Sequence, residues 1–409
     1  MRVALVNPAW RFDGSIYFGC REPHLPLELG YAQALLARAG HEAALFDLHL
    51  TGGGADDVAA FRPDMTVVTT APSYLFWRCP PPELRVPAAF LAALGERGGR
   101  RVVVGPHGSA TPGAVRRKLG VDAVIRGECE EAIVTLAEGR EVPDGLQEVA
   151  FAELPALSWP AAAIARHTHH HHRFDRLPDG PGAEVEASRG CPYACSFCAK
   201  LDFRDRYRRR HLPTLLAEID ALAAQGVTYL YFIDEIFLPW RELLEALAAR
   251  RLAFGVQTRI DLWKPAMLEM LGRAGCVSIE AGVESLTEAG RAALDKDCRV
   301  DTGTLTDRLI VARRHVPFVQ ANLIATPDDD AEAIADWRAR LRAAGVWAND
   351  PVPLYPYPGS PDYRARWGQP DDVAWERAHA HYLAEVRRFS DIQDVAPQPL
   401  DVLEDACPG

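Results

Sequence analysis

The stretch "SRGCPYACSFCAK", residues 188–200, places Cys191, Cys195 and Cys198 in a C-x3-C-x2-C pattern. It follows "AEVEAS" (183–188), a short run of strand character, and its Gly190 and Pro192 mark a loop. Thiolates at this density suit soft metals, zinc or iron–sulfur. A structural zinc site takes four ligands, usually as two pairs, and neither a second pair nor a C-x-x-H lies nearby. A four-iron cluster is normally held by four cysteines, so three leave one iron open to a substrate or cofactor. Three unrelated buried thiols are the remaining alternative.

Strand and helix signals alternate on both sides of this loop. Before it, "RVALVNP" (2–8), "HEAALFDL" (41–48), "DMTVVTTAP" (64–72), "RRVVVGP" (100–106) and "DAVIRGE" (122–128) read as strands with helical stretches between most of them. That alternation predicts an α/β, doubly wound parallel sheet over residues 1–150, with ligands beyond the carboxyl ends of its strands. Residues 151–182 break the pattern with prolines, glycines and the run "HTHHHHRF" (167–174), and read as a linker with some ordered structure. From 183 to 365 six strand–helix units follow, starting at "AEVEAS" and continuing through "VTYLYFID", "FGVQTRI", "CVSIEAG", "PFVQANLIA" and "VWANDPVPLY". Six is short of the eight that close a barrel, so an open, partial (β/α)6 barrel is expected. Residues 366–409 read as a helix, "DDVAWERAHAHYLAEVRRF", and an acidic tail.

Composition bounds the partners. The 409-residue chain carries a formal charge of −11, which argues against nucleic acid as the main partner. No apolar run approaches the roughly 18 residues that span a bilayer, and "MRVALVNPAW" reads as a strand rather than a signal peptide. A cytoplasmic protein with no membrane partner is expected. Its nine cysteines then favour metal binding or free thiols over a disulfide framework.

The motif, with the aromatic Phe197 before its last cysteine, resembles the signature of radical S-adenosylmethionine (SAM) enzymes. The resemblance implies a radical SAM barrel with a 4Fe-4S cluster on Cys191, Cys195 and Cys198, its open iron taken by SAM. It also implies that Asp234 and Glu235 in "YFIDEIF", Arg259 in "TRID", and Glu284 and Ser285 of the G-x-E-S beginning at Gly282 join Phe197 around SAM. "YPYPGSP" (355–361) resembles a segment closing the barrel in the subgroup with an N-terminal cobalamin domain. "VVVGPHGSATP" and "DAVIRGECEEAI" are similar to that domain, which implies a Rossmann-like cobalamin site on Thr70, Ser73, Gly105, His107, Gly108, Gly127 and Glu128. The implied activity is methylation of an unactivated carbon of a small molecule, with one SAM supplying the methyl through cobalamin and a second supplying the radical. A flavodoxin- or ferredoxin-type protein would supply the electron. Some relatives use cobalamin for rearrangement or cyclisation instead.

Four features stay open. "DLHLTG" (47–52) spells a D-x-H-x-x-G motif that supplies a cobalt ligand elsewhere, but it follows the second strand rather than the first, so His49 is not expected to ligate. Cys20, Cys79 and Cys129 follow strands one, three and five and could carry a second cluster, as in methylthiotransferases, or be ordinary thiols. His167 and His169–His172 could bind metal or form an ordered linker. The basic run "FRDRYRRRH" (203–211) is either a solvated helix start or a holder of the SAM carboxylate or of an anionic substrate.

Overall fold

The computed structural model describes residues 1–10, 23–73, 84–167, 180–327 and 329–385, with the backbone of two short strands beyond them. Six strands, β1 Arg2–Asn7, β2 Glu42–Asp47, β3 Met65–Thr69, β4 Arg100–Val104, β5 Ala123–Gly127 and β6 Leu146–Gln147, form a parallel sheet ordered β2-β1-β3-β4-β5-β6. Apolar residues on both faces make it doubly wound. Val3 and Leu5 of β1 pack with Leu36 and Ile133 on one side, while Ala4 and Val6 pack with Leu91 and Val115 on the other. In this sheet β6, a two-residue edge strand, is the one the sequence reading missed, because it is too short to carry a periodicity.

The second sheet begins with β7 Gly182–Val185. A small antiparallel pair, β8 Ser188–Arg189 with β9 Arg208–Arg209, brackets the cysteine loop. Then come β10 Tyr229–Phe232, β11 Ala253–Arg259, β12 Cys276–Glu284, β13 Phe318–Leu323 and β14 Trp347–Ala348. Excluding that small pair, the order is strictly sequential, β14-β13-β12-β11-β10-β7, and every pairing is parallel. This is the expected open six-stranded barrel. Helices Leu212–Ala224, Arg241–Ala248, Pro265–Arg273, Thr302–His315 and Ala331–Ala343 link successive strands. Asp301 and Asp330 start the last two by accepting from Thr304 N at 2.7 Å and Ala333 N at 2.9 Å, caps worth about 1 kcal/mol each.

Residues 151–167 contribute Phe151, Leu154, Leu157 and Trp159 to the barrel's own apolar core. Trp159 lies so close to helix Leu27–Arg38 that a Cβ on Gly30 would sit 2.9 Å from its ring. Helix Ala374–Glu385 returns to the first sheet, with Glu376 paired to Lys118 and Trp375 donating to Thr111 Oγ1 at 3.1 Å. Among the described residues no helix is long and apolar enough to cross a membrane.

Candidate active site

All strands of each sheet run the same way, so each sheet has one carboxyl edge, and the two edges face each other. Ala71, just past β3, packs on Phe203, just past the cysteine loop. Glu128, just past β5, pairs with Arg208 of β9. The cysteine loop therefore sits where the two edges meet.

Backbone contacts hold the loop from several sides. Gly190 has φ +74°, and a Cβ there would lie 2.2 Å from Arg206 O, so only glycine fits. Its N–H donates to Glu235 at 2.9 Å. Ser196 N donates to Leu294 O at 3.0 Å, and Asp362 N donates to Ser196 O at 3.0 Å. Cys191, Cys195 and Cys198 are free, half-buried thiols. Burial pushes Cys191 up to about 11 and Cys198 up to about 12, with the other thiols of the loop adding to both. The three are thus within electrostatic reach of one another, although among the described residues no three His, Cys, Asp or Glu side chains already converge as a metal site. Three thiols and no fourth cysteine on the loop fit a cluster with one open iron better than a closed zinc site.

The residues expected around SAM fall into two groups. Arg259 faces the loop, its guanidinium 3.9 Å above the Tyr193 ring. Nε and Nη2 are held by Asp261 at 3.1 and 2.8 Å, and Nη2 also donates to Asp297 O at 3.1 Å. Its Nη1 is buried without a partner among the described residues, a charged donor that suits a carboxylate. Phe197 is half-buried on the same loop. Glu284 sits at a β-bulge with φ +70° and accepts from Lys296 Nζ at 2.9 Å.

Asp234, Glu235 and Ser285 make contacts within the frame of the site. The Asp234 carboxylate accepts from Ala187 N at 2.9 Å and from the Ser188 hydroxyl, fixing the end of the first barrel strand. Burial pushes its acid well above the usual range. Glu235 is held by Gly190 N and Arg204. The Ser285 hydroxyl shapes the turn before helix Glu288–Ala293 and contacts Thr287, which caps it.

At the first sheet's carboxyl edge, His107 is fully buried, its Nδ1 3.2 Å from Thr70 Oγ1 and its ring 4.3 Å from that of Trp375. Gly105 has φ +124° at the end of β4. Gly108 and Gly127 have internal reasons to be glycine: added Cβ atoms would lie 2.5 Å from Val124 and 2.5 Å from Gln147 O. Ser73 donates to Glu28, and Glu128 accepts from Val149 N at 2.7 Å.

Within the basic run Arg204, Arg208 and Arg210 are held by carboxylates of the chain, while Arg206 and Arg209 are exposed. Arg204 is buried and bridges Glu28 of the first sheet's helix (2.8 Å) to Glu186 (2.9 Å) and Glu235 (3.1 Å) of the barrel. Arg210 donates to Tyr31 Oη at 2.8 Å and Glu218 at 2.9 Å. Arg189, between strand and cysteine loop, pairs with Glu186 at 2.8 Å and Glu130 at 2.6 Å. The run of arginines next to a metal motif was visible in the sequence; its acidic partners, scattered over residues 28–235, were not.

His49 lies in the four-residue helix Leu48–Thr51 past β2, the edge strand. Cys129 is buried in the first sheet's apolar core beside Ile133 and Leu136, and burial raises its thiol well above the usual value. Cys20, Cys79 and His169–His172 lie outside the described residues. His167 is buried, its Nδ1 2.7 Å from Gly182 O and its Nε2 3.3 Å from Glu184.

Residues 185–337 match the family model of the radical SAM superfamily. The chain is 27% identical over 366 residues to hopanoid C-3 methylase of Methylococcus capsulatus, covering 80% of this chain and 67% of that one. It is 25% identical over 315 residues to an uncharacterized methyltransferase of Pyrococcus horikoshii, covering 70% and 66%. The chain spans about half to two thirds of the length of such curated relatives. Among solved structures, the radical SAM methyltransferase TsrM of Kitasatospora setae, with cobalamin and a [4Fe-4S] cluster bound, superposes with a TM-score of 0.68 at 18% identity, over 88% of this chain and 76% of that one.

Proposed function

We propose that this chain, which carries a radical SAM domain and shares the two-sheet fold of cobalamin-dependent radical SAM methyltransferases, methylates an unactivated carbon of a small molecule. One observation carries the reading: a three-cysteine loop at the first strand end of an open barrel faces the carboxyl edge of a doubly wound sheet. When bound, the cluster and cobalamin supply the electron for SAM cleavage and the methyl carrier. The chain's own residues do the rest. Cys191, Cys195 and Cys198 hold the cluster, and Tyr193 and Arg259 brace the loop. Arg259 Nη1 takes a carboxylate, and Lys296 with Glu284 presents a charged pair at the neighbouring strand end. His107, under the ring of Trp375, lines the cobalamin side with Thr70 and Gly105. A flavodoxin- or ferredoxin-type donor and a cytoplasmic setting belong to this reading.

The test is product stoichiometry. The anaerobically reconstituted enzyme, given SAM and its substrate, should form S-adenosylhomocysteine and 5′-deoxyadenosine in roughly equal amounts, because one SAM gives a methyl and the other a radical. Deoxyadenosine and product without S-adenosylhomocysteine would sink methyl transfer and leave a rearrangement or cyclisation on the same frame.

A further inference from the structure

The turn after helix Glu288–Ala293 is tied to the cysteine loop on one side and to Arg259 on the other. Leu294 O accepts from Ser196 N at 3.0 Å, next to Cys195, and Asp297 O accepts from Arg259 Nη2 at 3.1 Å. Between these two contacts lies Lys296. Its N–H donates to Arg291 O at 3.1 Å, and the buried Arg291 side chain donates to Ser285 O at 2.9 Å. Asp295 and Asp297, on either side of Lys296, each have φ +48°, and Glu284 has φ +70°. These are three of the five non-glycine residues with positive φ among the described residues, so left-handed backbone gathers at this one place. Such backbone costs a residue with a Cβ, and it persists where the surroundings require it.

What the turn delivers is a charge. Lys296 is 1% exposed, and its ammonium donates to Glu284 Oε1 at 2.9 Å. Glu284 is its one side-chain partner among the described residues, although an ammonium carries three donors. The pair lies over the end of β12: a Cβ on Gly282 would be 2.4 Å from that Glu284 oxygen and 3.5 Å from Lys296 Nζ. Burying an ammonium is costly. Glu284 is only half-buried and would be paired as well by a solvent-facing lysine, so the pair alone gives no reason to bury this one. Cys195 gives the reason. Burial pushes its thiol up, and of the charges that act on it Lys296 pulls it down hardest, ahead of the opposing push of Glu284 and the pull of Arg259. The middle cysteine of the loop therefore has positive charge as its stronger neighbour.

We infer that Lys296 is a positioning residue for charge: its buried ammonium favours the reduced form of the cluster held through Cys195, and so eases entry of the electron that SAM cleavage consumes. One electron enters from the external flavodoxin- or ferredoxin-type donor, the cluster gains one negative charge, and no proton moves. A cation buried near a thiolate ligand stabilises that extra negative charge, because the interior screens it weakly. Net charge and hydrogen bonds at the sulfurs are what set such potentials. Glu284 tempers the effect and acts with the opposite sign, which a merely structural role for the pair would not produce. The inference rests on the reading of the loop as a cluster site.

The test uses the full-length protein reconstituted anaerobically with iron and sulfide, without SAM or substrate, and poised with dithionite and redox mediators. Electron paramagnetic resonance gives the ratio of reduced to oxidised cluster. At the potential where the parent is half reduced, Lys296→Met should lower that ratio at least tenfold, a shift of about 59 mV for one electron. Glu284→Gln should raise it at least threefold, and Lys296→Arg should stay within threefold of the parent. A fall of less than threefold in Lys296→Met would overturn the inference. So would a fall that appears only once SAM is added, since the ammonium would then serve SAM. If Lys296→Met takes up no iron, Glu284→Gln decides, and an unchanged or lower ratio there would overturn the inference. A parent that holds no iron on its three cysteines would remove the cluster reading and the inference together; a loaded parent with an indifferent Lys296→Met removes the inference alone.

Discussion

Replacing Glu28 with Gln should leave the protein at least as stable at pH 8, whereas replacing Glu186 with Gln should damage it, although both carboxylates bond the same Arg204. Glu28 accepts from Arg204 Nη2 at 2.8 Å and from Ser73, yet burial outweighs these contacts and raises its acid from 4.5 to about 7. The folded state then holds the proton more tightly than the unfolded chain does. This contribution to stability is full below the ordinary carboxylate range and is lost as pH rises toward 7. At about 1.4 kcal/mol per unit, the charged form at pH 8 sits about 3 kcal/mol above where a neutral group would. Glutamine mimics the neutral acid, so Glu28→Gln should gain up to about 3 kcal/mol at pH 8 and nothing near pH 4. Glu186 is the reverse case. Burial raises it, but Arg189, Arg204 and Arg210 together pull it below its ordinary value. Its contribution is present above the ordinary range and is lost as pH falls through the depressed value. Arg189 binds it at 2.8 to 3.2 Å and Arg204 at 2.9 Å, and breaking such a buried pair costs about 3 to 5 kcal/mol. Urea unfolding of the three proteins at pH 5.5 and pH 8 measures both effects. A Glu28→Gln protein weaker than the parent at pH 8, by as much as Glu186→Gln, would refute the claim that burial outweighs the Arg204 pair.

The triple change of Cys191, Cys195 and Cys198 to Ala should abolish iron retention after anaerobic reconstitution, read as iron and sulfide per chain; a retained full complement would overturn the assignment of the loop. Gly190→Ala forces a Cβ to 2.2 Å from Arg206 O at φ +74°, so cluster loading should fall sharply while far-ultraviolet circular dichroism stays native. His49→Ala should retain cobalamin with an unchanged cobalt spectrum, since His49 lies past the edge strand β2; a shifted spectrum would make it a ligand. Trp375→Ala removes the ring packed at a tilt against His107 and the bond to Thr111, and should lower stability by about 3 kcal/mol and weaken cobalamin retention in gel filtration.

The longer strands were legible because they carry an uninterrupted buried run or a period-2 pattern, and the alternation with helices left a parallel arrangement as the simplest outcome. The cysteine loop was legible because its chemistry is local, within residues 191–198. The backbone contacts of Asp234 and Ser285 were not legible, since a motif marks a position without giving the partners its side chain meets. Gly108 and Gly127 teach the same point from the packing side, because each is required by a neighbour that the topology alone supplies.

The arginine run was the least legible feature, and physical reasons explain why its buried members Arg204 and Arg210 meet carboxylates of the chain. Arg204 and Glu28 are 176 residues apart, so no local pattern pairs them. In a chain with 56 acidic and 45 basic residues, a guanidinium drawn into the interior meets carboxylates from both sheets before any solute. The junction cannot be sealed with apolar side chains alone, because both carboxyl edges must stay polar enough to bind charged molecules between them. Buried ion pairs suit that junction: they add little net stability, but each fixes where its two members sit. Arg204 reaches Glu28 on one sheet and, through Glu235, the N–H of Gly190 beside Cys191 on the other. Charged hydrogen bonds therefore help to set the distance between the first sheet's edge and the cysteine loop, beside the apolar contact of Ala71 with Phe203. A substitution that keeps the fold but loosens this bridge should separate radical formation from use of the radical, with deoxyadenosine forming without a matching yield of methylated product. Arg204→Lys, which keeps the charge but loses the forked geometry, is the variant that tests it, and equal yields of the two products would show that the bridge does not set that distance.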